Sequence, residues 1–263
     1  MKRELEIFFT ALRFYTRLPA PSWVGHNDEY LTKATRYLPV IGWVVGFISA
    51  IVFWGAAYLF SAPLGVLFSM VASILVTGAF HEDGLADVCD GFGGGWTKEK
   101  ILAIMKDSRV GTYGVVGLIL VLLAKFFSLQ QLVDICHEQP LIIGLLFVVA
   151  HSLSRYTAAT FIFTHPYVRV SDDSKVQPVV RIADKRNLTI ATVLTLIPLL
   201  ALILLSDKIV FLTLIIPLYL IKLYLGRYFT SWIGGYTGDC LGATQQISEL
   251  LIYLSFILLW KFT

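Results

Sequence analysis

The chain has 263 residues, 57% of them hydrophobic and 15% charged, with a formal net charge of +3. Soluble domains run at roughly 45–50% apolar and about 25% charged, so this composition excludes an ordinary water-soluble globule and describes a protein lying mostly in a bilayer. The small net charge gives nucleic-acid binding no support. Three scattered cysteines, Cys89, Cys136 and Cys240, form neither a CxxC pair nor a disulfide frame.

Residues 1–18 carry Leu5, Phe8, Phe9, Leu12 and Tyr15 at helical spacing with basic residues at the margin. That pattern predicts an amphipathic helix on the membrane surface, ended by Leu18, Pro19, Ala20 and Pro21. Arg13 and Arg17 interrupt the apolar stretch, so no cleavable signal peptide is expected. A membrane helix needs about 20 mainly apolar residues, and the rule selects 39–60, 63–80, 112–133, 141–163, 189–206, 208–226 and 247–262. The expected fold is an all-α, polytopic membrane bundle of about seven transmembrane helices plus the interfacial helix, in one domain over 1–263.

Charge location orients it. Segments 1–38, 81–111, 164–188 and 222–246 would share one side and hold 17 of the 21 Lys and Arg residues. By the positive-inside rule they face the cytoplasm. Lys208 and Lys261 fall on the opposite side, while Lys125 and Arg155 lie within spans.

The chemistry concentrates in residues 81–95, HEDGLADVCDGFGGG. Asp83, Asp87 and Asp90 are spaced i, i+4, i+7, one stripe of a helix. Like charges on one stripe repel, and cap residues would account for only one or two of them. Mg²⁺ takes carboxylates together with substrate phosphates, so the stripe predicts a metal-dependent site for a phosphate-bearing substrate at the membrane surface. Gly91 and Gly93 to Gly95 follow, suited to a phosphate-cradling turn with φ > 0.

Arg109 is either a bidentate phosphate clamp or a basic anchor at headgroup level. In the segment from Gly234 to Glu249, a helical reading places Gly235 and Gly242 beside Asp239 on one face. Small-residue packing accounts for those glycines but not for the acid among them. Glu249 would be costly in lipid and is expected at the site. Arg155, with His151 one turn earlier, should face the bundle interior and meet the acidic cluster or a substrate phosphate.

The stretches HEDGLADVCDGFGGG (81–95), DSRVGTYG (107–114) and TGDCLGAT (237–244), with TRLPAP (16–21) and PVIG (39–42), resemble the cobalamin synthase family, also called adenosylcobinamide-GDP ribazoletransferases. The resemblance covers essentially the whole chain, in order. It implies a bacterial inner-membrane enzyme of late vitamin B12 assembly. Such enzymes join adenosylcobinamide-GDP to α-ribazole or its 5′-phosphate and release GMP, with Mg²⁺ as cofactor. By this likeness Asp83, Asp87, Asp90 and Asp239 are metal-binding or catalytic carboxylates. Glu82 is a fifth candidate ligand, although many members carry an apolar residue there. Gly93, Gly94, Arg109, Arg155 and Glu249 are the expected substrate contacts.

The expected partners are the two substrates and membrane lipid, and the sequence is compatible with a homo-oligomer. One rival is a CDP-alcohol phosphatidyltransferase, whose DxxDGxxAR pattern this chain matches only in part. The other is an ion-coupled transporter, which would place its ion ligands near the bilayer midplane.

Overall fold

The computed structural model describes residues 2–25, 27–168 and 184–262. Most of the basic 164–188 segment lies outside these. Eleven α-helices follow one another among the described residues: α1 Lys2–Tyr15, α2 Asp28–Ala34, α3 Leu38–Leu59, α4 Ala62–Thr77, α5 Phe80–Gly94, α6 Lys98–Ile104, α7 Thr112–Ile135, α8 Pro140–Thr164, α9 Lys185–Ser206, α10 Ile215–Ile233 and α11 Gly238–Phe262. Short 3₁₀ turns, Thr35–Tyr37 and Ile209–Leu214, lead into α3 and α10. The extended pairing among these residues is a single parallel bridge, Tyr167 with Tyr236.

Local chemistry fixes the helix starts. The Asn27 side chain accepts from Glu29 N at 2.8 Å and Asp184 accepts from Arg186 N at 2.9 Å, capping α2 and α9. Pro140 occupies the first turn of α8, where its missing N–H costs nothing.

Among the described residues six helical stretches are long and apolar enough to cross a membrane. The seventh expected span, 63–80, is not a straight helix. α4 has only 16 residues, and α5 leaves it at 89°. The cause is two successive left-handed residues, Gly78 (φ 67°) and Ala79 (φ 58°), which stop the α4 hydrogen-bond ladder and turn the chain. A count of seven holds only when α4 and α5 are taken as one broken span. The last span also differs: it begins at Gly238, nine residues before the expected start, so Asp239 and Glu249 share one helix. Gly235 precedes that helix and is not on it, contrary to the helical reading of 234–249. It lies in the extended stretch where Tyr236 N donates to Pro166 O at 3.0 Å.

α8 is the central helix and is buried over most of its length, whereas α7 and the α10 stretch are largely uncovered. The outer helices turn large apolar side chains outward, among them Leu204, Phe127 and Tyr219, as lipid-facing helices do. α3 docks on α8 through Gly42 and Gly46, a small-xxx-small pair. A Cβ on Gly42 would stand 2.4 Å from His151 O and 2.7 Å from Ser152 Cα, both backbone atoms that cannot swing aside. Gly42→Val is therefore expected to cost about 1–3 kcal/mol, read as a lower unfolding temperature in detergent. Gly55→Ala, on the same helix with nothing within 4 Å, should be neutral or stabilising.

Candidate active site

The acidic stripe is helical. α5 runs from Phe80 to Gly94, and the stripe passes from exposed Asp83 through half-buried Asp87 to buried Asp90. Asp90 closes the stripe by capping another helix. Its Oδ2 accepts from Gly111 N at 2.6 Å and its Oδ1 from Gly114 N at 2.8 Å, meeting orphan donors at the start of α7. A Cβ on either glycine would stand within 2.5 Å of that carboxylate. The glycines that follow Asp90 likewise serve close packing: Gly91 lies against Met105 and Gly93 against the Tyr113 ring. None of Gly91 and Gly93 to Gly95 has positive φ. The expected left-handed turn is absent because α5 continues helically through Gly94.

The second acidic segment meets the first. α5 crosses α11 where a Cβ on Gly84 would lie 2.9 Å from Asp239 O and 3.2 Å from Gly242 Cα. Gly84 sits next to Asp83 in the chain, so Asp239 is held beside the first turn of the acidic helix. Thr237 Oγ1 accepts from Cys240 N at 3.3 Å and caps α11. The partly positive N-terminus of that helix therefore stands at the crossing. Glycine on both helices permits this close approach: a Cβ on Gly84 would meet Asp239 O at 2.9 Å and one on Gly242 would meet His81 O at 3.1 Å.

Behind the crossing lies a buried polar network that sequence reasoning only partly anticipated. Lys125 of α7, placed in a span without a partner in the sequence reading, pairs with Glu249 at 2.7 Å and donates to Gln246 Oε1 at 3.1 Å. Glu249 also accepts from Gln245 at 2.7 Å and Tyr253 at 3.1 Å, and His151 Nδ1 lies 3.4 Å away. Gln246 donates to Glu82 Oε1 at 2.9 Å, tying α5 into the network. Arg155 Nη1 reaches His151 O at 3.0 Å and His151 Nδ1 at 3.1 Å. Within this network Arg155 Nε and Glu82 Oε2 are buried and have no hydrogen-bond partner among the described residues. Gln245, Gln246, Glu249 and Tyr253 recur at helical spacing through an apolar helix, and that polar stripe was the sequence signal for the network.

A narrow cleft opens between α1, α5, α8 and α11. Phe14, Tyr15 and Phe80 form one wall in edge-to-face contact, with ring centroids 4.8–6.3 Å apart. His81, Arg155 and Gln245 bring polar groups to it, and Gly238 and Gly242 of α11 line its edge next to Asp239.

Arg109 stands apart from this cleft. It is exposed and forms a bidentate pair with Asp107, Nη2 to Oδ2 at 2.7 Å. Hydrogen bonds from Arg109 hold the Asp107 carboxyl down at about 2, so the pair stays charged at neutral pH.

Comparison with known proteins matches the sequence to one family. The sequence profile described as cobalamin-5-phosphate synthase matches residues 7–257. The chain is 47% identical to the adenosylcobinamide-GDP ribazoletransferase of Shewanella frigidimarina over 252 residues, covering 96% of this chain and 94% of that protein. It is 44% identical to the proteins of the same name from Shewanella pealeana, covering 98% and 97% of the two chains, and Shewanella amazonensis, covering 99% and 98%. No solved structure matches the chain. With its multi-pass helical bundle and its two acidic segments brought together, the chain belongs to the cobalamin-5-phosphate synthase family, transferases of cobalamin biosynthesis.

Proposed function

We propose that this protein transfers the adenosylcobinamide-phosphate group of adenosylcobinamide-GDP to α-ribazole or its 5′-phosphate, releasing GMP. It would do so with Mg²⁺, at the cytoplasmic face of a bacterial inner membrane. The observation that carries the reading is the crossing of α5 and α11, which sets Asp239 beside Gly84, between Asp83 and Asp87 in the acidic helix. The relatives' names supply the substrates.

The donor set suits Mg²⁺ of the kind that completes its shell with substrate. Among the described residues no three His, Cys, Asp or Glu side chains converge closely enough to hold a metal alone. Mg²⁺ commonly uses one or two carboxylates plus phosphate oxygens and water, and Asp83, Asp87 and Asp239 are hard oxygen donors for such a shared site. When bound, the ion would neutralise charge on the diphosphate. Glu82 is the least accessible candidate ligand, buried and bonded to Gln246.

The residues divide the remaining work. A ribazole hydroxyl oxygen attacks the phosphorus that carries cobinamide, and the bond from that phosphorus to the GMP oxygen breaks, GMP leaving with the electron pair. The hydroxyl proton passes to a carboxylate. Asp239 is the better base, because both oxygens of Asp90 already accept backbone N–H bonds. The N-terminus of α11 favours the phosphates electrostatically, and Arg109 is proposed to approach them from the surface. The test is incubation of the purified protein with adenosylcobinamide-GDP, α-ribazole and Mg²⁺. GMP detected by mass supports the reading, whereas no GMP, with the protein folded and both substrates intact, refutes it.

A further inference from the structure

The cleft beneath α1 is not used by the chemistry above, and its composition is unusual for a phosphate site. Its surface is mostly apolar, walled by Phe14, Tyr15 and Phe80 on one side and by the small residues Ala158 and Ala159 of α8 on another. A slot lined by rings and methyl groups suits an apolar ring better than a phosphate, which would lose its hydration there.

Charge points the same way. Arg155 lines the cleft, yet it belongs to a network with two formal cations, Lys125 and Arg155, and two carboxylates, Glu82 and Glu249. The four balance, so these side chains leave no net positive charge to draw a phosphate past the α11 N-terminus at the cleft's edge into its apolar interior. What Arg155 does hold is an unsatisfied donor beside the cleft: its Nε, covered by protein on a side chain 2% exposed, has no partner among the described residues. A buried N–H without an acceptor costs about 1–3 kcal/mol, and a ligand bringing one neutral acceptor would recover that.

The polar groups also discriminate between rings. A guanine ring presents N–H donors along its pairing edge and needs acceptors there, preferably a carboxylate. No Asp or Glu lines the cleft among the described residues. Gln245 is committed on both sides, its Nε2 to Ser154 and Glu249 and its Oε1 to Gln246. An azole with apolar edges and one unsubstituted ring nitrogen fits the donor on offer.

We propose that this cleft seats the planar azole base of the acceptor nucleoside, ring against Phe14 and Phe80, with its free ring nitrogen accepting from Arg155. The inference rests on the proposed function for the identity of the acceptor. Gly238 lines the cleft and Asp239 follows it in the chain, so a base held here directs its ribose toward the carboxylate assigned as proton acceptor.

Two variants test it by kinetics with both substrates varied, and by calorimetry with α-ribazole alone. Ala158→Leu narrows the slot and should raise the KM for α-ribazole about tenfold or more, leaving the KM for adenosylcobinamide-GDP within about twofold. Phe80→Leu, at an exposed position, should raise the same KM roughly three- to tenfold by removing a ring contact. An unchanged α-ribazole KM in both, or a rise confined to the GDP-linked substrate, overturns the assignment while the proposed function stands. Absence of GMP with the wild-type protein sinks the proposed function instead. Calorimetry then decides the cleft: α-ribazole binding lost in Ala158→Leu supports it, and equal binding or none to wild type overturns it.

Discussion

Asp83→Asn and Asp87→Asn should each lower turnover by at least about a hundredfold, the scale seen when one preorganised electrostatic group is removed from a transition state. Asn keeps the size and one acceptor oxygen of Asp but removes the charge. The two positions differ from Asp90 in what else they do. Asp83 is exposed and Asp87 half-buried on the stripe, so neither change opens a cavity, and both variants should insert and unfold like the wild type. Asp90→Asn replaces one of two charge-assisted acceptors that cap α7 and should lower stability along with activity. Comparing unfolding temperature with GMP release across the three variants separates the roles. Wild-type turnover in both Asp83→Asn and Asp87→Asn would remove the acidic stripe from the chemistry.

The second large effect is on stability. Lys125→Met leaves Glu249 buried beside a thioether, without its direct ion-pair partner and with Gln245, Tyr253, His151 and the more distant Arg155 as its remaining polar neighbours. Breaking a buried ion pair from one side costs about 3–5 kcal/mol, because the surviving charge has no compensation. Glu249→Gln should be damaging in the same way, stranding the Lys125 ammonium inside the bundle. The double variant removes both charges and should recover most of the loss. Equilibrium unfolding in mixed micelles, arranged as a double-mutant cycle, reads the coupling directly. Additive losses in the double variant would mean that the 2.7 Å contact contributes nothing to folding.

Much of this architecture could be read from residue order. Hydropathy found the membrane helices, and the i, i+4, i+7 spacing of Asp83, Asp87 and Asp90 described a real helical face. Three features were hidden, each for a physical reason. The 89° bend depends on Gly78 and an alanine in a left-handed conformation, and alanine gives no hint of that. The true start of α11 was missed because Asp239, Gly242 and the paired glutamines depress local hydropathy, although their polarity is satisfied inside the bundle. The partner of Lys125 is 124 residues away in Glu249, a separation no local pattern spans. The glycines after Asp90 were legible as close-approach residues, but what approaches them is Met105 and the Tyr113 ring.

The shortness of α4 has a consequence for the lipid around it. Its 16 residues rise about 24 Å, against about 30 Å of hydrocarbon in an average bilayer. The chain cannot lengthen the helix, because the turn at Gly78 and Ala79 fixes its end. A bilayer matched to that flank would thin there, and the aqueous boundary would be drawn inward toward the carboxylates of α5. A shallow dimple of this kind would let a bulky amphiphile and a water-soluble nucleoside reach the same spot without either crossing into the other's phase.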